Sequence, residues 1–145
     1  MEEIMDLTRR QTMMMALGAA VAAAIPASGF ASTDEMADVI KAFTGGAEVK
    51  EGGVDIGAPE IAENGNTVPV EVSAEGATDI LLLAAGNPRP GVATFHFGAL
   101  AAASEAKTRI RLAKTQDLVA IAKMADGSFA QAKRTVKVTI GGCGG

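Results

Sequence analysis

Leu118-Val119-Ala120-Ile121-Ala122-Lys123-Met124, then Ala125-Asp126-Gly127-Ser128, then Phe129 and on to Val136-Lys137-Val138-Thr139-Ile140: an apolar run, a turn and an alternating run follow without a break. Val119 and Ile121 alternate with alanines and Lys123, and Val136, Val138 and Ile140 alternate with Thr135, Lys137 and Thr139. A period of two belongs to strands with two unlike faces. Asp126-Gly127 is a hairpin signal, because both residues tolerate positive φ. This stretch therefore predicts two antiparallel neighbours in a sheet.

The same period extends toward the amino terminus. Ile110 and Leu112 alternate with Thr108, Arg109 and Arg111, and Lys114-Thr115-Gln116-Asp117 turns the chain. Val92 to Phe97 predicts a strand with Phe95 and Phe97 on one face and Thr94 and His96 on the other. Ile80 to Ala84 is a short apolar strand, closed by the breakers Gly86-Asn87-Pro88-Arg89-Pro90-Gly91. Val68, Val70 and Val72 alternate with polar partners, and Pro69 among them predicts an edge strand or a bulge. Leu100 to Ala106 reads as a loop. Only one segment has helical spacing: Met36, Val39, Ile40 and Phe43 form a stripe, with a Ser32-x-x-Glu35 capping box before it and Gly45-Gly46 to stop it. Short strands spaced by turns with no long helices between them indicate an all-β antiparallel sandwich.

Composition narrows the chemistry. The 145 residues are 48% hydrophobic but 3% aromatic, so the core is aliphatic and padded with alanine, and the length suits one domain. Thirteen basic against 17 acidic side chains give a net charge of −4, which argues against nucleic acid as a partner. One cysteine excludes an intrachain disulfide framework, and no ligand spacing points to a metal. No flavin or nicotinamide fingerprint is present. No cofactor and no catalytic set are expected, so any chemistry rests on very few residues.

Met13 to Ile25 is a continuous apolar run directly after Arg9-Arg10. It is too short for a transmembrane helix of roughly 20 residues and fits the core of an export signal. Gly29 and Ala31 suit a small-x-small cleavage site, which places cleavage after Ala31, with Ala27 as the alternative. Arg9-Arg10 preceded by Thr8 resembles a twin-arginine signal, although Thr12 and Met14 depart from the usual pattern and an ordinary Sec signal stays open. Residues 1–31 are thus expected to be an export signal, 32–140 the sandwich and 141–145 a separate arm. The mature chain is expected in the periplasm, with no membrane association.

That arm reads Gly141-Gly142-Cys143-Gly144-Gly145. Glycine packs nothing and weakens a strand, so four of them around a cysteine are not a core element. Three residues beyond Ile140 reach about 10 Å, so the sequence predicts a flexible arm that presents the thiol, thin enough to enter a narrow channel. An odd cysteine in an exported chain means either an interchain disulfide or a reactive thiol. No base and no helix amino terminus neighbours Cys143 in sequence, so activation would fall to the protein that receives the arm.

The pentapeptide Gly141 to Gly145 in an exported domain resembles the SoxY family, the sulfur carriers of bacterial thiosulfate oxidation. Thr108-Arg109-Ile110-Arg111-Leu112-Ala113, Thr115-Gln116, Ala120-Ile121-Ala122, Asp126-Gly127-Ser128 and Val136 to Ile140 resemble that family's carboxy-terminal half, and Arg9-Arg10 suits its leader. The amino-terminal half matches less distinctively. The resemblance implies an immunoglobulin-like sandwich paired with a SoxZ-like subunit in a heterodimer, and a covalent carrier rather than an enzyme. It implies that Cys143 is joined oxidatively to thiosulfate by a haem-containing enzyme, that a hydrolase releases sulfate, and that a sulfane dehydrogenase oxidises the remaining sulfur.

Two other readings of the tail differ in class: a carrier activated as a thiocarboxylate on Gly145, and a structural sandwich whose Cys143 only links chains. His96 reads as hydrogen-bonded within the sheet more readily than as a metal ligand, since no second ligand is spaced nearby. Arg109, Arg111, Lys133, Arg134 and Lys137 predict either a basic strip that steers anions or an ordinary solvated face.

Overall fold

A computed structural model describes residues 31–139. Arg9, Arg10, the apolar run and the Gly141–Gly145 segment with Cys143 lie outside the described residues. The described chain is one helix, α1 (Ala31–Thr44), followed by nine strands: β1 (Val49–Glu51), β2 (Asp55–Gly57), β3 (Ile61–Ala62), β4 (Val68–Ser73), β5 (Ala77–Ala84), β6 (Gly91–His96), β7 (Glu105–Ile110), β8 (Gln116–Met124) and β9 (Phe129–Val138). They form two sheets, one ordered β1-β9-β8-β5-β6 with β3 added beside β9, the other β2-β4-β7.

The alternating strands pack as their period demands. Val68, Val70 and Val72 of β4 face Ile80, Leu82 and Ala84 of β5 and Leu118, Ala120 and Ala122 of β8 across the sandwich. Large and small residues are paired across strands: Ile80 lies opposite Ala122 and Leu82 opposite Ala120. The next strand continues the small side, with Ala132 opposite Ala120 and Ala130 opposite Ala122. Alanine padding therefore fills one half of a layer whose other half is aliphatic bulk, which keeps the interior dense without aromatic rings.

Ile80 to Ala84 is buried at every position because both faces of β5 are covered. Leu81 and Leu83 point away from the second sheet, and with Val119, Ile121 and Phe129 they meet Met36, Val39, Ile40 and Phe43 of α1. Phe43 and Phe129 make an edge-to-face pair with centroids 5.8 Å apart. The helical stripe thus has its partner, and it explains why this strand is a continuous apolar run rather than an alternation. Gly45 and Gly46 end the helix with φ of 66° and 84°, and Gly45 N–H donates to the Lys41 carbonyl at 2.8 Å.

Four expectations need correction. The helix starts at Ala31, so Ser32 lies within its first turn rather than at its cap. Pro69 does not mark an edge strand, since β4 is the middle strand of its sheet. The short β2 pairs only as far as Gly57 opposite Glu71, so at Pro69 the strand has one neighbour, β7, and a missing N–H costs little. The loop after β6 stops earlier than expected, because Glu105 and Ala106 already belong to β7. The sandwich is not wholly antiparallel either: β1 and β3 both run parallel to β9. Strands of three and two residues carry too little periodicity to be read from sequence.

Leu82 is fully buried between the sheets. Leu82→Ala is expected to lower the free energy of unfolding by about 2–5 kcal/mol, read from urea denaturation at unchanged m-value.

Candidate functional site

Strand β9 leads toward the only cysteine of the chain, so its last residues are the place to look for an anchor. Both edges of the strand are occupied there. On one edge Lys137 N–H donates to the Glu60 carbonyl at 2.9 Å and Thr139 N–H to the Ala62 carbonyl at 3.1 Å. On the other, Val138 N–H donates to Thr115 Oγ1 at 2.9 Å, and that hydroxyl lies 3.4 Å from the Val138 carbonyl that it can reach as donor. Thr115 thereby continues, with a side chain, the ladder that β8 ends at Gln116 opposite Val136.

The loop bearing Thr115 is itself fixed. Gln116 is buried, and its Nε2 donates to Asn87 Oδ1 at 2.9 Å and to the Lys114 carbonyl at 3.0 Å. Its Oε1 accepts from Gly86 N–H at 2.8 Å. Asn87 Nδ2 donates to the Arg111 carbonyl at 2.8 Å, and Asn87 Oδ1 accepts from Ala113 N–H at 3.0 Å. Two amide side chains thus tie the β5–β6 turn to the β7–β8 loop at the end of the sandwich where β9 finishes. Every side-chain polar atom of buried Gln116 and half-buried Asn87 is used, the condition under which such a network rigidifies.

Close packing completes the anchor. A Cβ on Gly65 would stand 2.6 Å from the Leu112 carbonyl oxygen and 2.9 Å from Val138 Cγ1, while Leu112 N–H donates to the Gly65 carbonyl at 2.7 Å. Glycine is required there for approach. None of Gly65, Asn87 or Gln116 is identified by sequence reasoning as a site residue. Gly86-Asn87-Pro88-Arg89-Pro90 reads as breakers and Thr115-Gln116 as a turn, and single hydrogen-bonding side chains carry no periodic signal.

The other candidates are dispersed. His96 pairs with Asp79, its register partner across β5 and β6, through Nδ1 and Oδ1. Thr78 Oγ1 donates to the same carboxylate at 2.8 Å. The Thr78 hydrogen bond, then His96, hold the Asp79 carboxyl below its ordinary range. The five basic residues do not form one strip, because Arg109 lies on β7 of the smaller sheet and Lys133, Arg134 and Lys137 on β9 of the larger. Lys133 is engaged with Asp117 at 3.0 Å, and Asp117 also accepts from Thr135 Oγ1 at 2.6 Å. That hydroxyl, and then Lys133, lower the Asp117 pKa.

A small β-sandwich whose last strand is bonded on both edges up to Thr139 is the class of protein this geometry defines. The family model of the sulfur oxidation protein SoxY matches residues 40–143, and the chain belongs to that family. A solved structure of the sulfur carrier protein SoxY from Chlorobium limicola f thiosulfatophilum is 39% identical, with a TM-score of 0.65 over 74% of this chain and 99% of that one. Superoxide reductase (neelaredoxin) from Ignicoccus hospitalis is 21% identical, with a TM-score of 0.54 over 61% of this chain and 81% of that one. A putative superoxide reductase from Thermotoga maritima is 16% identical, with a TM-score of 0.51 over 67% and 90%. The last two likenesses concern the fold alone. No curated protein matches.

Thr115→Val is expected to raise the exchange rate of the Val138 amide by about two- to tenfold, the loss of one modest hydrogen bond, with core amides unchanged. Asp79 and Asp117 have folded-state pKa values below the ordinary 3.8. Each contributes stability that is present above the unfolded value and lost as pH falls through the folded one. Asp79→Asn with Asp117→Asn should therefore lower Tm at neutral pH and flatten the acid-side decline in a thermal melt series.

Proposed function

We propose that the protein is a periplasmic covalent carrier of sulfur intermediates in thiosulfate oxidation, holding them on Cys143. The observation that carries this reading is the family match, which runs through residue 143 and so takes in the sole cysteine. The similar Chlorobium protein is a sulfur carrier, and the doubly bonded end of β9 supports the same role. Four residues past Thr139 reach at most about 13–14 Å, a span that delivers a thiol into another protein's cleft while the body stays outside.

In the first step the Cys143 Sγ–H bond and a new bond to the sulfane sulfur of thiosulfate exchange. One proton and two electrons leave, and the haem-containing partner accepts the electrons. Water then attacks the terminal sulfonate, the S–S bond to it breaks, and sulfate departs with two protons while a persulfide anion stays on Cys143. A sulfane dehydrogenase then takes six electrons from that outer sulfur while three waters supply its oxygens and six protons leave, giving Cys143–S–SO3⁻, and hydrolysis of this group by one more water releases sulfate and a proton and restores the thiol. The protein supplies attachment and positioning, and the catalysis belongs to its partners. Gly141, Gly142, Gly144 and Gly145 keep the segment narrow. Tethering gives each partner a cargo that cannot diffuse away.

A SoxZ-like subunit is the proposed permanent partner. Among the outer strands of the two sheets, β7 and β6 are unlike. On β7, Lys107 reaches Glu71 at 3.2 Å and Glu105 at 3.1 Å, and charge of this kind discourages strand addition. On β6, Val92-Ala93-Thr94-Phe95 is uncharged, which favours that edge for a second subunit. Export by the twin-arginine route through Arg9 and Arg10 places the complex where thiosulfate is oxidised.

Mass spectrometry of exported protein is expected to find sulfur-bearing adducts on Cys143 and an amino terminus at Ser32. Cys143→Ser should fold normally and reduce thiosulfate-dependent turnover of the reconstituted system to background. Full turnover by that variant would refute the carrier role. Deleting Gly145 should only weaken turnover, whereas a thiocarboxylate mechanism would lose it all.

A further inference from the structure

A surface pocket of about 430 Å³ lies beside the anchor of β9, lined by Asn87, Pro88, Arg89, Arg111 and Ala113. It is built from the two loops that the Asn87–Gln116 network joins. Asn87 bonds the Arg111 carbonyl and the Ala113 N–H, and two residues beyond Ala113 comes Thr115, which holds Val138. The opposite wall is equally constrained: Pro88 and Pro90 fix the backbone on either side of Arg89, and the Pro90 carbonyl accepts from Ala84 N–H at 2.8 Å.

Arg89 and Arg111, both exposed, therefore line one concavity, and among the described residues neither is within ion-pair distance of a carboxylate. The larger pocket, about 600 Å³ on the outer face of the smaller sheet, includes Glu71 and Lys107, which already neutralise each other. A planar guanidinium presents a fork of N–H donors that matches the oxygens of an anion such as a sulfonate. Ala113 of the pocket wall is two residues from Thr115, which bonds Val138 next to Thr139, and Cys143 lies four residues beyond Thr139, a reach of about 13–14 Å.

We propose that Arg89 and Arg111 form a docking site for the sulfonate group carried on Cys143 of the same chain, and that the loaded segment rests there between visits to partner enzymes. This rests on the carrier reading above. The ligand chemistry, a terminal sulfonate, is shared with free thiosulfate, and the tethered group is favoured because its effective concentration at the pocket is set by a link of four residues. Docking holds the outer S–S bond against the protein and lowers its exposure to other thiols. Each visit by an enzyme then begins with release of two exposed ion pairs, which is a small barrier.

The test uses the full mature chain. Treatment with tetrathionate loads it chemically: the Cys143 thiolate attacks the central S–S bond, a Cys143–S–S–SO3⁻ adduct forms and thiosulfate leaves. The Nε–H resonances of Arg89 and Arg111 are then followed by NMR, with tetrathionate-treated Cys143→Ser and equimolar free thiosulfate as controls. The expected result is that both resonances shift in the loaded protein alone, that the shift fades with added salt, and that Arg89→Ala with Arg111→Ala makes the adduct react about two- to fivefold faster with an added thiol. Unmoved resonances in the loaded protein overturn the proposal. Equal shifts from equimolar free thiosulfate on Cys143→Ser also overturn it, and assign the pocket to the free anion. The carrier reading fails separately, through turnover that survives Cys143→Ser, because the NMR result on chemically loaded protein does not depend on turnover.

Discussion

Strand β9 is paired along both edges, and the rest of the molecule is arranged around that constraint. β8 runs against it from Gln116 to Lys123, β1 takes the opposite edge at one end and β3 takes it at the other. The same strand places Val136 and Ala130 in the sandwich interior and Phe129 against the helix. A strand bonded on one edge only would leave its terminal N–H and C=O groups to water and would fray from the end. Here the fraying end is the one that leads to the thiol, and Glu60, Ala62 and Thr115 close it. The small strands β1 and β3 add little core, and their contribution is this ladder.

The sandwich was legible in the sequence wherever a period of two coincided with a face against water. Val68-Val70-Val72 and the hairpin around Asp126-Gly127 are such cases, and Gly127 indeed takes φ of 86°. Ile80 to Ala84 was legible as a strand but not as one covered on both faces. The helix stripe and the odd positions of β5 and β8 fit each other only across distance, and no local pattern relates Phe43 to Phe129. Pro69 was misleading because its rule concerns the neighbour on the N–H side, which is a property of where β2 stops. The anchor was hidden for a different reason. Asn87, Thr115 and Gln116 act through single hydrogen bonds between segments about 30 residues apart, and a glycine such as Gly65 reveals its role only when Leu112 and Val138 stand against it.

The cysteine was the most conspicuous feature of the sequence, yet its surroundings carry the stronger physical statement. A segment of glycines around one thiol offers partners almost no side-chain surface, and glycine loses more conformational entropy on ordering than any other residue. Insertion of such a segment into a cleft is therefore costly in itself, and the segment alone cannot supply affinity or discrimination. Recognition has to come from elsewhere, and the body of the sandwich is the surface available to supply it.

That surface is not uniform. Strand β6, uncharged from Val92 to Phe95, and the charged strand β7 lie at edges of different sheets. The end of β9 sits with the β5–β6 turn and the β7–β8 loop, which carry Arg89 and Arg111 and no ion-paired carboxylate among the described residues. On the carrier role proposed above, a cargo that is anionic after conjugation and again after sulfate leaves is attracted to that end at both stages. Under that role, attraction acting within a Debye length of about 8–10 Å would favour a loaded over an empty carrier without any change in fold. Gln116 and Asn87 tie the turn of Arg89 to the loop of Arg111, and Thr115 of that loop bonds Val138, so the place of this charge relative to the end of β9 is set by side-chain hydrogen bonds rather than left to loop motion.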